Sequence, residues 1–367
     1  MENIEKSSRE KRFMQFMFKP TYACNLACRY CHIHKMRETA SKPITLFQAD
    51  QLFQWIAGYA RRHKVNTVDI LWHGGEPLLI PSDDMCRIIM MYTDIFAQNG
   101  IKCTSSIQSN LLLLDPKKVG IIKRYFNATI GFSYDYHSSE RCFPNGTNAS
   151  KQIWDKALWA KEQGLNVGCI TQITEDNVDE VENVYEHFRN NGIGFKFSRL
   201  RNTDKYISAL SDEAYIESVK RLFDLWINDI PQKITISNFV EYIRMLIGVR
   251  SSSCCYQPQC NVLSFAGNGE ITFCDRTDIS NYLGNYLTDS FSMIDSRITT
   301  LRLRTRLEHN SKCKQCHYFS ICNGGCPMNR LSGWDHHECS YTKSILQYIS
   351  AYLLDHNYEL YSKERIS

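Results

Sequence analysis

The sequence predicts an α/β protein in which a sheet of parallel strands, open or barrel-like, precedes a small cysteine-rich domain. Short apolar segments alternate with amphipathic segments over residues 13–198, a pattern typical of βα units. Gly100, Gly164 and Gly192 each stand where one of the predicted helices should end. Nine of the sixteen cysteines fall within residues 251–340, where hydrophobic periodicity is weak. We therefore expect metal, more than a large core, to organise that second part.

Six strands are predicted before residue 200. They cover residues 14–18, 67–72, 102–107, 128–133, 166–172 and 193–198. The helices predicted between them cover residues 46–63, 82–98, 116–126, 150–163 and 177–191. Two further helices are predicted at 212–228 and 238–248, and a closing helix at 341–361. Because sheets of this kind carry their chemistry at the carboxyl ends of the strands, we expect the active site at that edge.

Composition and charge exclude several classes of protein. The chain has 367 residues, of which 43% are hydrophobic and 22% charged, as in globular proteins of about two domains. A net charge of +4 is too mild to indicate nucleic acid as a partner. The N-terminal residues lack the apolar stretch of a signal peptide, and no apolar run is long enough to span a membrane. We therefore expect a cytoplasmic protein whose clustered cysteines bind metal, with no membrane and no nucleic-acid partner.

The first cysteine cluster follows the first predicted strand. Cys24, Cys28 and Cys31 have the spacing C-x3-C-x2-C, so that one short loop can direct three thiolates to one point. Thiolates are the usual ligands of iron–sulfur clusters and of structural zinc. Zinc would take a fourth ligand, for which His32 or His34 is available, whereas a four-iron cluster on three cysteines leaves one iron open. The spacing alone allows both.

Polar segments follow the next three strands in order. The second strand ends in WHGGEP, the third in IQSN and the fourth in SYDYHSSER. Each segment has a simple structural interpretation by itself, as a turn, a helix cap or a strand end. Four such features at successive strand ends form a much more specific pattern than any one of them.

Together these segments resemble the radical S-adenosylmethionine (radical SAM) superfamily, and the resemblance implies a partial (β/α)6 barrel similar to a TIM barrel. A 4Fe–4S cluster on Cys24, Cys28 and Cys31 would chelate SAM, whose reductive cleavage gives a 5′-deoxyadenosyl radical that abstracts a substrate hydrogen atom. Tyr30 matches the aromatic residue near the adenine. The other implied SAM contacts are Gly74, Gly75, Glu76 and Pro77 for the ammonium group, Gln108, Ser109 and Asn110 for the ribose, and Ser133 and Arg141 for the carboxylate. Asp135 belongs to the same segment as Ser133, and Tyr136 stands where the family usually has glycine.

The second group of cysteines resembles the SPASM extension of radical SAM enzymes, which usually carries two auxiliary 4Fe–4S clusters. Residues 313–326 read CKQCHYFSICNGGC, and GNGEITFC lies upstream. The resemblance implies one cluster on Cys313, Cys316, Cys322 and Cys339. It implies another on Cys260, Cys274 and Cys326, with Cys254 or Cys255 as the fourth ligand and Cys255 favoured. The C-x2-C pairs are also compatible with a zinc ribbon.

The resemblance covers nearly the whole chain and divides it into segments. We expect an N-terminal extension at 1–12, the barrel at 13–210, a helical linker at 211–250, the SPASM domain at 251–340 and a C-terminal helix at 341–367. Asp275 occupies the place of an aspartate that acts as a base in anaerobic sulfatase-maturing enzymes, although it could equally pair with Arg276 or cap a turn. Cys142 lies in a predicted loop without an assigned role, and the basic run at 302–306 is interpreted as a solvated helix face.

The implied function is oxidative modification of a peptide after translation. Crosslinking of a ribosomally made precursor is favoured, and formylglycine formation is the first alternative. Few residues precede the predicted barrel, so recognition of a leader peptide would fall to the barrel, the SPASM domain or a separate protein. A dehydrogenase or epimerase acting on a small molecule such as a sugar is a further alternative, and a metal-binding scaffold without enzymatic activity ranks last. The expected partners are the peptide or protein substrate and an electron donor such as flavodoxin or ferredoxin.

Overall fold

The computed structural model describes residues 12–33, 42–200, 208, 210–230, 234–274, 282–307, 311–328 and 337–356. Within these ranges, nine strands form one sheet. They are β1 (Phe13–Lys19), β2 (Thr67–Trp72), β3 (Lys102–Ser109), β4 (Thr129–Ser133), β5 (Asn166–Ile173), β6 (Gly194–Arg199), β7 (Leu263–Ala266), β8 (Glu270–Phe273) and β9 (Tyr282–Asn285). The six strands predicted before residue 200 are confirmed, and each end lies within two residues of its predicted position.

The first six strands are parallel and neighbour one another in chain order. This order follows from the regular alternation of strand and helix, since each helix returns the chain to the same end of the sheet. Strands β6 and β9 form the two edges of the sheet, so the parallel strands form an open, partial barrel. The predicted α/β class with a partial (β/α)6 barrel is confirmed.

Helices cover the outer face of the parallel strands. They are α1 (Leu46–Arg62), α2 (Ser82–Gln98), α3 (Pro116–Tyr125), α4 (Ser150–Glu162), α5 (Val181–Asn190), α6 (Asp212–Asn228) and α7 (Ser237–Leu246). Helix α5 starts later than predicted because a short 3₁₀ turn occupies Val178–Glu180. Thr45 caps α1 by accepting a hydrogen bond from the backbone N–H of Gln48 at 3.2 Å.

Alternating side chains divide the sheet into two faces. Phe16 and Phe18 of β1 are fully buried and pack on aromatic rings of α1, with ring centroids 6.3 Å apart for Phe16 and Tyr59 and 5.3 Å for Phe18 and Phe53. Gln15 lies on the opposite face, because neighbouring residues of a strand point to opposite sides. That face forms the interior of the partial barrel.

The C-terminal strands extend the same sheet. Strand β7 pairs in parallel with β1, with Phe16 opposite Leu263, and β8 and β9 follow as antiparallel neighbours. The remaining helices are α8 (Phe291–Leu307), two single turns, α9 (Ser311–Lys314) and α10 (Phe319–Cys322), and α11 (His337–Asp355). Because the periodicity of residues 251–340 is weak, the sequence did not predict these three short strands, of which β7 hydrogen-bonds directly to the barrel. No helix in the described ranges has both the length and the apolar character needed to cross a membrane.

Candidate active site

The candidate site lies at the carboxyl edge of the parallel strands. The cysteine loop follows β1, the segment Gly74–Pro77 follows β2, Ser109 ends β3, and Ser133 ends β4. Because these strands are parallel and adjacent, their carboxyl ends meet on one side of the sheet. The segments that the sequence singles out therefore share one edge of the sheet.

Backbone hydrogen bonds hold the cysteine loop from two sides. From β2, the N–H of Gly75 donates to the carbonyl of Thr21 at 3.0 Å, and the N–H of Glu76 donates to that of Ala23 at 2.9 Å. The segment after β4 pairs with the other side of the loop. The N–H of Ala27 donates to Cys142 O at 2.7 Å, and that of Arg29 donates to Glu140 O at 2.9 Å. The fold therefore fixes this loop through its backbone.

Two glycines allow the end of β2 to approach the cysteine loop. A Cβ atom on Gly75 would lie 2.0 Å from the carbonyl oxygen of Ala23, a distance that no real side chain reaches. Gly74 has φ +112°, and its Cβ would lie 2.6 Å from the carbonyl oxygen of Thr21. Glycine is required at both positions, since the two backbones are in direct contact. Pro77 then begins the buried 3₁₀ turn Pro77–Leu79.

Glu76 connects the ends of β2 and β3. Its side chain is buried, and its carboxylate accepts hydrogen bonds from the backbone N–H groups of Leu78 at 2.9 Å and Asn110 at 2.8 Å. The hydroxyl of Ser109 donates to the same carboxylate at 2.8 Å. Burial raises the pKa of Glu76, and the two backbone donors oppose that rise. The carboxylate thus orders the site, and it retains limited capacity to accept a bond from a ligand ammonium group.

The polar end of β3 contacts both neighbouring segments. Asn110 Nδ2 donates to Asn25 Oδ1 at 2.8 Å and lies 3.9 Å from the sulfur of Cys24. Gln108 Nε2 donates to the hydroxyl of Ser133 on β4 at 2.8 Å. Asn110 therefore positions the first cysteine of the loop, while Gln108 and Ser133 form a polar surface at the adjoining strand ends.

Tyr30, Asp135 and Arg141 form a buried ionic group beside the cysteine loop. Asp135 is fully buried and accepts a hydrogen bond from the hydroxyl of Tyr30 at 2.6 Å. Arg141 Nε lies 2.8 Å from the same carboxylate oxygen, and its guanidinium lies 5.3 Å from the centroid of the Tyr30 ring. Burial raises the pKa of Tyr30, which remains a neutral hydrogen-bond donor. Sequence reasoning assigned Tyr30 and Arg141 to SAM and missed that Asp135 links them.

The loop after β4 forms with Tyr136 at the position where the radical SAM family usually has glycine. The Tyr136 ring packs on His187, with ring centroids 4.8 Å apart. Glycine is favoured where φ is positive. Here the positive φ, 48°, belongs to the next residue, His137. The side chain of Asn177 donates to the carbonyl of Tyr136 at 2.9 Å, which supports the loop.

The donor chemistry of the loop fits an iron–sulfur cluster. It presents the three thiols of Cys24, Cys28 and Cys31, each partly exposed. Within the described ranges, no group of three His, Cys, Asp or Glu side chains is arranged to hold a single metal ion. In a 4Fe–4S cluster each thiolate binds a different iron, so the sulfurs need not converge on one point. Cys24, Cys28 and Cys31 would hold that cluster, and the segments at the strand ends would surround SAM.

The C-terminal thiols fall into two groups. Cys260 is buried, and burial together with the nearby thiols of Cys274 and Cys255 raises its pKa to about 12. Similarly, burial and the proximity of Cys316 and Cys313 raise the pKa of Cys322. The SPASM resemblance places each of these groups in a larger set of cluster ligands, and that assignment stays a prediction.

The remaining predicted ligands differ in exposure. Cys255 is partly buried, whereas its neighbour Cys254 is exposed. Cys326 is buried and Cys339 is exposed. Asp275, the predicted base, lies outside the described residues.

The structure gives Cys142 a role that the sequence did not suggest. Its thiol donates to the carbonyl of Ala27 at 3.0 Å, and its own carbonyl accepts from the N–H of the same residue. Cys142 therefore braces the loop that carries the first cysteine cluster. No spacing rule connects it with that loop, because the contact depends on the path of the chain after β4.

The interior of the partial barrel contains a polar group that sequence reasoning also missed. The buried Asp69 carboxylate accepts hydrogen bonds from Gln15 at 2.9 Å, Thr104 at 2.9 Å and Ser106 at 2.6 Å. The signal was present in the alternation of polar residues along β1, β2 and β3. With three hydrogen bonds satisfied, Asp69 stabilises the interior face of the sheet.

Comparisons with known proteins agree with this arrangement. Residues 18–188 match the model of the Radical SAM superfamily. The cysteine-type anaerobic sulfatase-maturating enzyme of Clostridium novyi is 22% identical over 335 residues, which cover 86% of this chain and 88% of that protein.

Solved structures show the same fold. Native anSMEcpe with bound AdoMet and Cp18Cys peptide overlays with a TM-score of 0.80 at 19% identity, covering 95% of this chain and 100% of that chain. Streptococcus suis SuiB bound to precursor peptide SuiA overlays with a TM-score of 0.58 at 18% identity, covering 88% of this chain and 73% of that chain.

Proposed function

Because the chain belongs to the radical SAM superfamily, we propose that it oxidises a side chain of a peptide or protein substrate by abstracting a hydrogen atom. The observation that carries the proposal is the likeness of fold, over 95% of this chain, to an enzyme solved with both AdoMet and a peptide. When bound, SAM and its 4Fe–4S cluster supply a 5′-deoxyadenosyl radical, and auxiliary clusters supply an electron acceptor.

The residues at the strand ends have distinct proposed roles. Cys24, Cys28 and Cys31 hold the SAM-binding cluster. The backbone of Gly74 and Gly75 and the Glu76 carboxylate lie where the SAM ammonium group is expected. Tyr30 is proposed to lie near the adenine, and Gln108, Ser109 and Asn110 near the ribose. Ser133 and Arg141 are proposed to face the SAM carboxylate, with Asp135 holding Arg141 in place through its 2.8 Å ion pair.

The C-terminal cysteines are proposed to hold two auxiliary 4Fe–4S clusters. The mutual proximity of Cys255, Cys260 and Cys274, and that of Cys313, Cys316 and Cys322, supports two separate sites. Cys326 would complete the first set and Cys339 the second. Asp275 follows Cys274 in the sequence, and we propose it as the base that removes a proton from the substrate.

Iron and acid-labile sulfide per chain, after anaerobic reconstitution, test the cofactor assignment. We expect about twelve of each, as three 4Fe–4S clusters require. About four of each, with zinc making up the difference, would leave a SAM-binding cluster and remove the electron-accepting role of the C-terminal cysteines.

Mass spectrometry of candidate substrates tests the reaction. The enzyme would be incubated anaerobically with SAM, a reductant and one of three substrates: a sulfatase peptide with cysteine, the same peptide with serine, or a precursor peptide encoded nearby. Crosslinking removes two hydrogen atoms and leaves a bond that fragmentation does not separate. Formylglycine formation also removes two hydrogen atoms. From serine this gives the aldehyde directly, whereas from cysteine it gives a thioaldehyde, whose sulfur water then replaces with oxygen as hydrogen sulfide leaves.

Different comparisons favour the two candidate products, formylglycine and a crosslinked precursor peptide. The curated C. novyi relative, which this chain matches over 88% of that protein's length, is a sulfatase-maturating enzyme, and this favours formylglycine. The fold likeness to SuiB solved with its precursor peptide favours a modified precursor. Deoxyadenosine production without any change in peptide mass, but with turnover of a sugar, would contradict the proposal and indicate a small-molecule enzyme.

A further inference from the structure

Arg302 joins the barrel to the C-terminal cysteines. It lies on α8, where its Nε donates to the carbonyl of Cys260 at 3.0 Å and its Nη1 donates to the hydroxyl of Tyr59 on α1. Its guanidinium also lies 5.7 Å from the centroid of the Tyr59 ring. The sequence predicts that the basic run at 302–306 is a solvated helix face. That interpretation is wrong for Arg302, which is partly buried, and correct for Arg306, which is exposed.

One nitrogen of Arg302 is left without an acceptor. Nη2 is buried, and among the described residues no atom accepts a hydrogen bond from it. A buried donor of a charged group costs free energy unless an acceptor satisfies it. Nη2 therefore needs a hydrogen-bond acceptor that the described residues do not supply.

The immediate surroundings of the guanidinium indicate an anionic, sulfur-containing acceptor. Cys260, whose carbonyl binds Arg302, has a buried thiol that lies near the thiols of Cys274 and Cys255. The acidic residue on the same helix, Asp295, is engaged elsewhere: its carboxylate oxygens lie 2.7 Å from Arg62 Nε and 2.6 Å from His63 Nε2. The positive charge of Arg302 thus adjoins the place where three thiolates are proposed to bind a cluster.

We propose that Arg302 donates a charge-assisted hydrogen bond to the auxiliary cluster of Cys255, Cys260 and Cys274 and favours the reduced form of that cluster. The inference rests on the proposed auxiliary cluster. A cluster gains negative charge on reduction, so a neighbouring cation raises its reduction potential. Arg302 is a positioning residue in this reaction: it adjusts the electron acceptor and is not proposed to contact the substrate.

The test measures midpoint potentials in full-length protein by EPR-monitored redox titration. A background with Cys24, Cys28 and Cys31 replaced by alanine removes the signal of the SAM-binding cluster. In this background, Arg302→Gln should move one auxiliary midpoint to a more negative value and leave the other unchanged. Arg302→Lys, which keeps the charge, should retain most of the wild-type midpoint. Arg306→Gln, the same change at an exposed position of the same helix, should have no effect.

Unchanged midpoints in Arg302→Gln, with wild-type iron content, would overturn the inference and leave the proposed function intact. If Arg302→Gln does not retain its cluster, protein labelled with ¹⁵N-arginine in the same cysteine background replaces it. Pulsed EPR of the reduced protein should show a ¹⁵N coupling to one auxiliary cluster that Arg302→Lys lacks. Absence of that coupling would also overturn the inference. Failure to bind about eight iron atoms in the cysteine background would instead contradict the auxiliary clusters themselves.

Discussion

The two cysteine regions of the molecule are built in opposite ways. Cys24, Cys28 and Cys31 lie on one short loop, and backbone hydrogen bonds from the end of β2 and from residues 140–142 hold that loop in place. The C-terminal cysteines come from distant segments, and two of them, Cys254 and Cys339, are exposed. The barrel therefore shapes its site before any cofactor binds, whereas we expect the C-terminal region to take much of its order from the clusters.

Removing the barrel cysteines should produce the largest effect and separate the two regions. The triple variant Cys24→Ala, Cys28→Ala, Cys31→Ala should abolish reductive SAM cleavage, because no ligands remain for the SAM-binding cluster. The auxiliary clusters should persist, since their ligands are unchanged. Chromatographic assay of 5′-deoxyadenosine, together with iron analysis, measures both results.

Cys86→Ala, a substitution on α2 away from the site, provides the control and should keep wild-type cleavage. Deoxyadenosine at the wild-type rate in the triple variant would remove the loop from the mechanism. Loss of all iron would show that the C-terminal clusters depend on the barrel site, which contradicts the independence of the two regions.

A single methyl group at Gly75 tests whether the fold shapes the barrel loop. The added Cβ would lie 2.0 Å from the carbonyl of Ala23, so the loop has to move or the strand end has to separate from it. We expect Gly75→Ala to cost about 1–3 kcal/mol of stability and to weaken SAM binding strongly. Urea denaturation and SAM titration measure these effects.

Gly120→Ala is the matched control. Gly120 lies on α3, and a Cβ there would meet nothing within 4 Å. Because alanine is the better helix former, this substitution should stabilise the protein by about 0.5–1 kcal/mol and leave SAM binding unchanged. Equal SAM affinity in Gly75→Ala and Gly120→Ala would show that the close approach has no functional importance.

Removal of iron should affect the two regions unequally. After chelation, hydrogen–deuterium exchange should increase strongly in segments 254–262 and 311–328, which contain six of the eight proposed C-terminal ligands. Exchange should change less in residues 21–31, because Thr21, Ala23 and Ala27 keep their backbone hydrogen bonds to neighbouring segments. Peptides from α2, a helix on the outer face of the parallel strands that carries no predicted ligand, serve as the internal reference. Equal increases in both regions would refute the contrast drawn between them.

The sequence predicted the barrel, and it singled out the segments that meet at the carboxyl edge of the sheet, because both depend on local patterns. Each βα unit carries its own periodicity, and Cys24 to Cys31 lie within one loop. The pairing of β7 with β1 was missed because four residues, Leu263–Ala266, give too short a signal for a partner so distant in the chain. The links of Asp135 to Tyr30 and Arg141 were missed for a related reason: only the folded chain brings these segments together.

The smallest expected effect concerns the hydrogen bond that joins the Cys142 thiol to the cysteine loop of the barrel. Cys142→Ala removes the thiol that donates to the carbonyl of Ala27 at 3.0 Å but keeps the backbone bond between the same residues. We expect a loss of about 1 kcal/mol in the free energy of unfolding and, if that energy positions the loop, about fivefold weaker SAM binding.

Cys142→Ser keeps a donor and should restore most of the affinity. Cys103→Ala removes a thiol that lies 3.5 Å from the carbonyl of Thr104, away from the loop, and should leave SAM binding unchanged. A loss of stability in Cys142→Ala with wild-type SAM affinity would mean that the backbone bonds alone hold the loop. The barrel site would then depend even less on side chains, and its contrast with the C-terminal cysteines would be sharper.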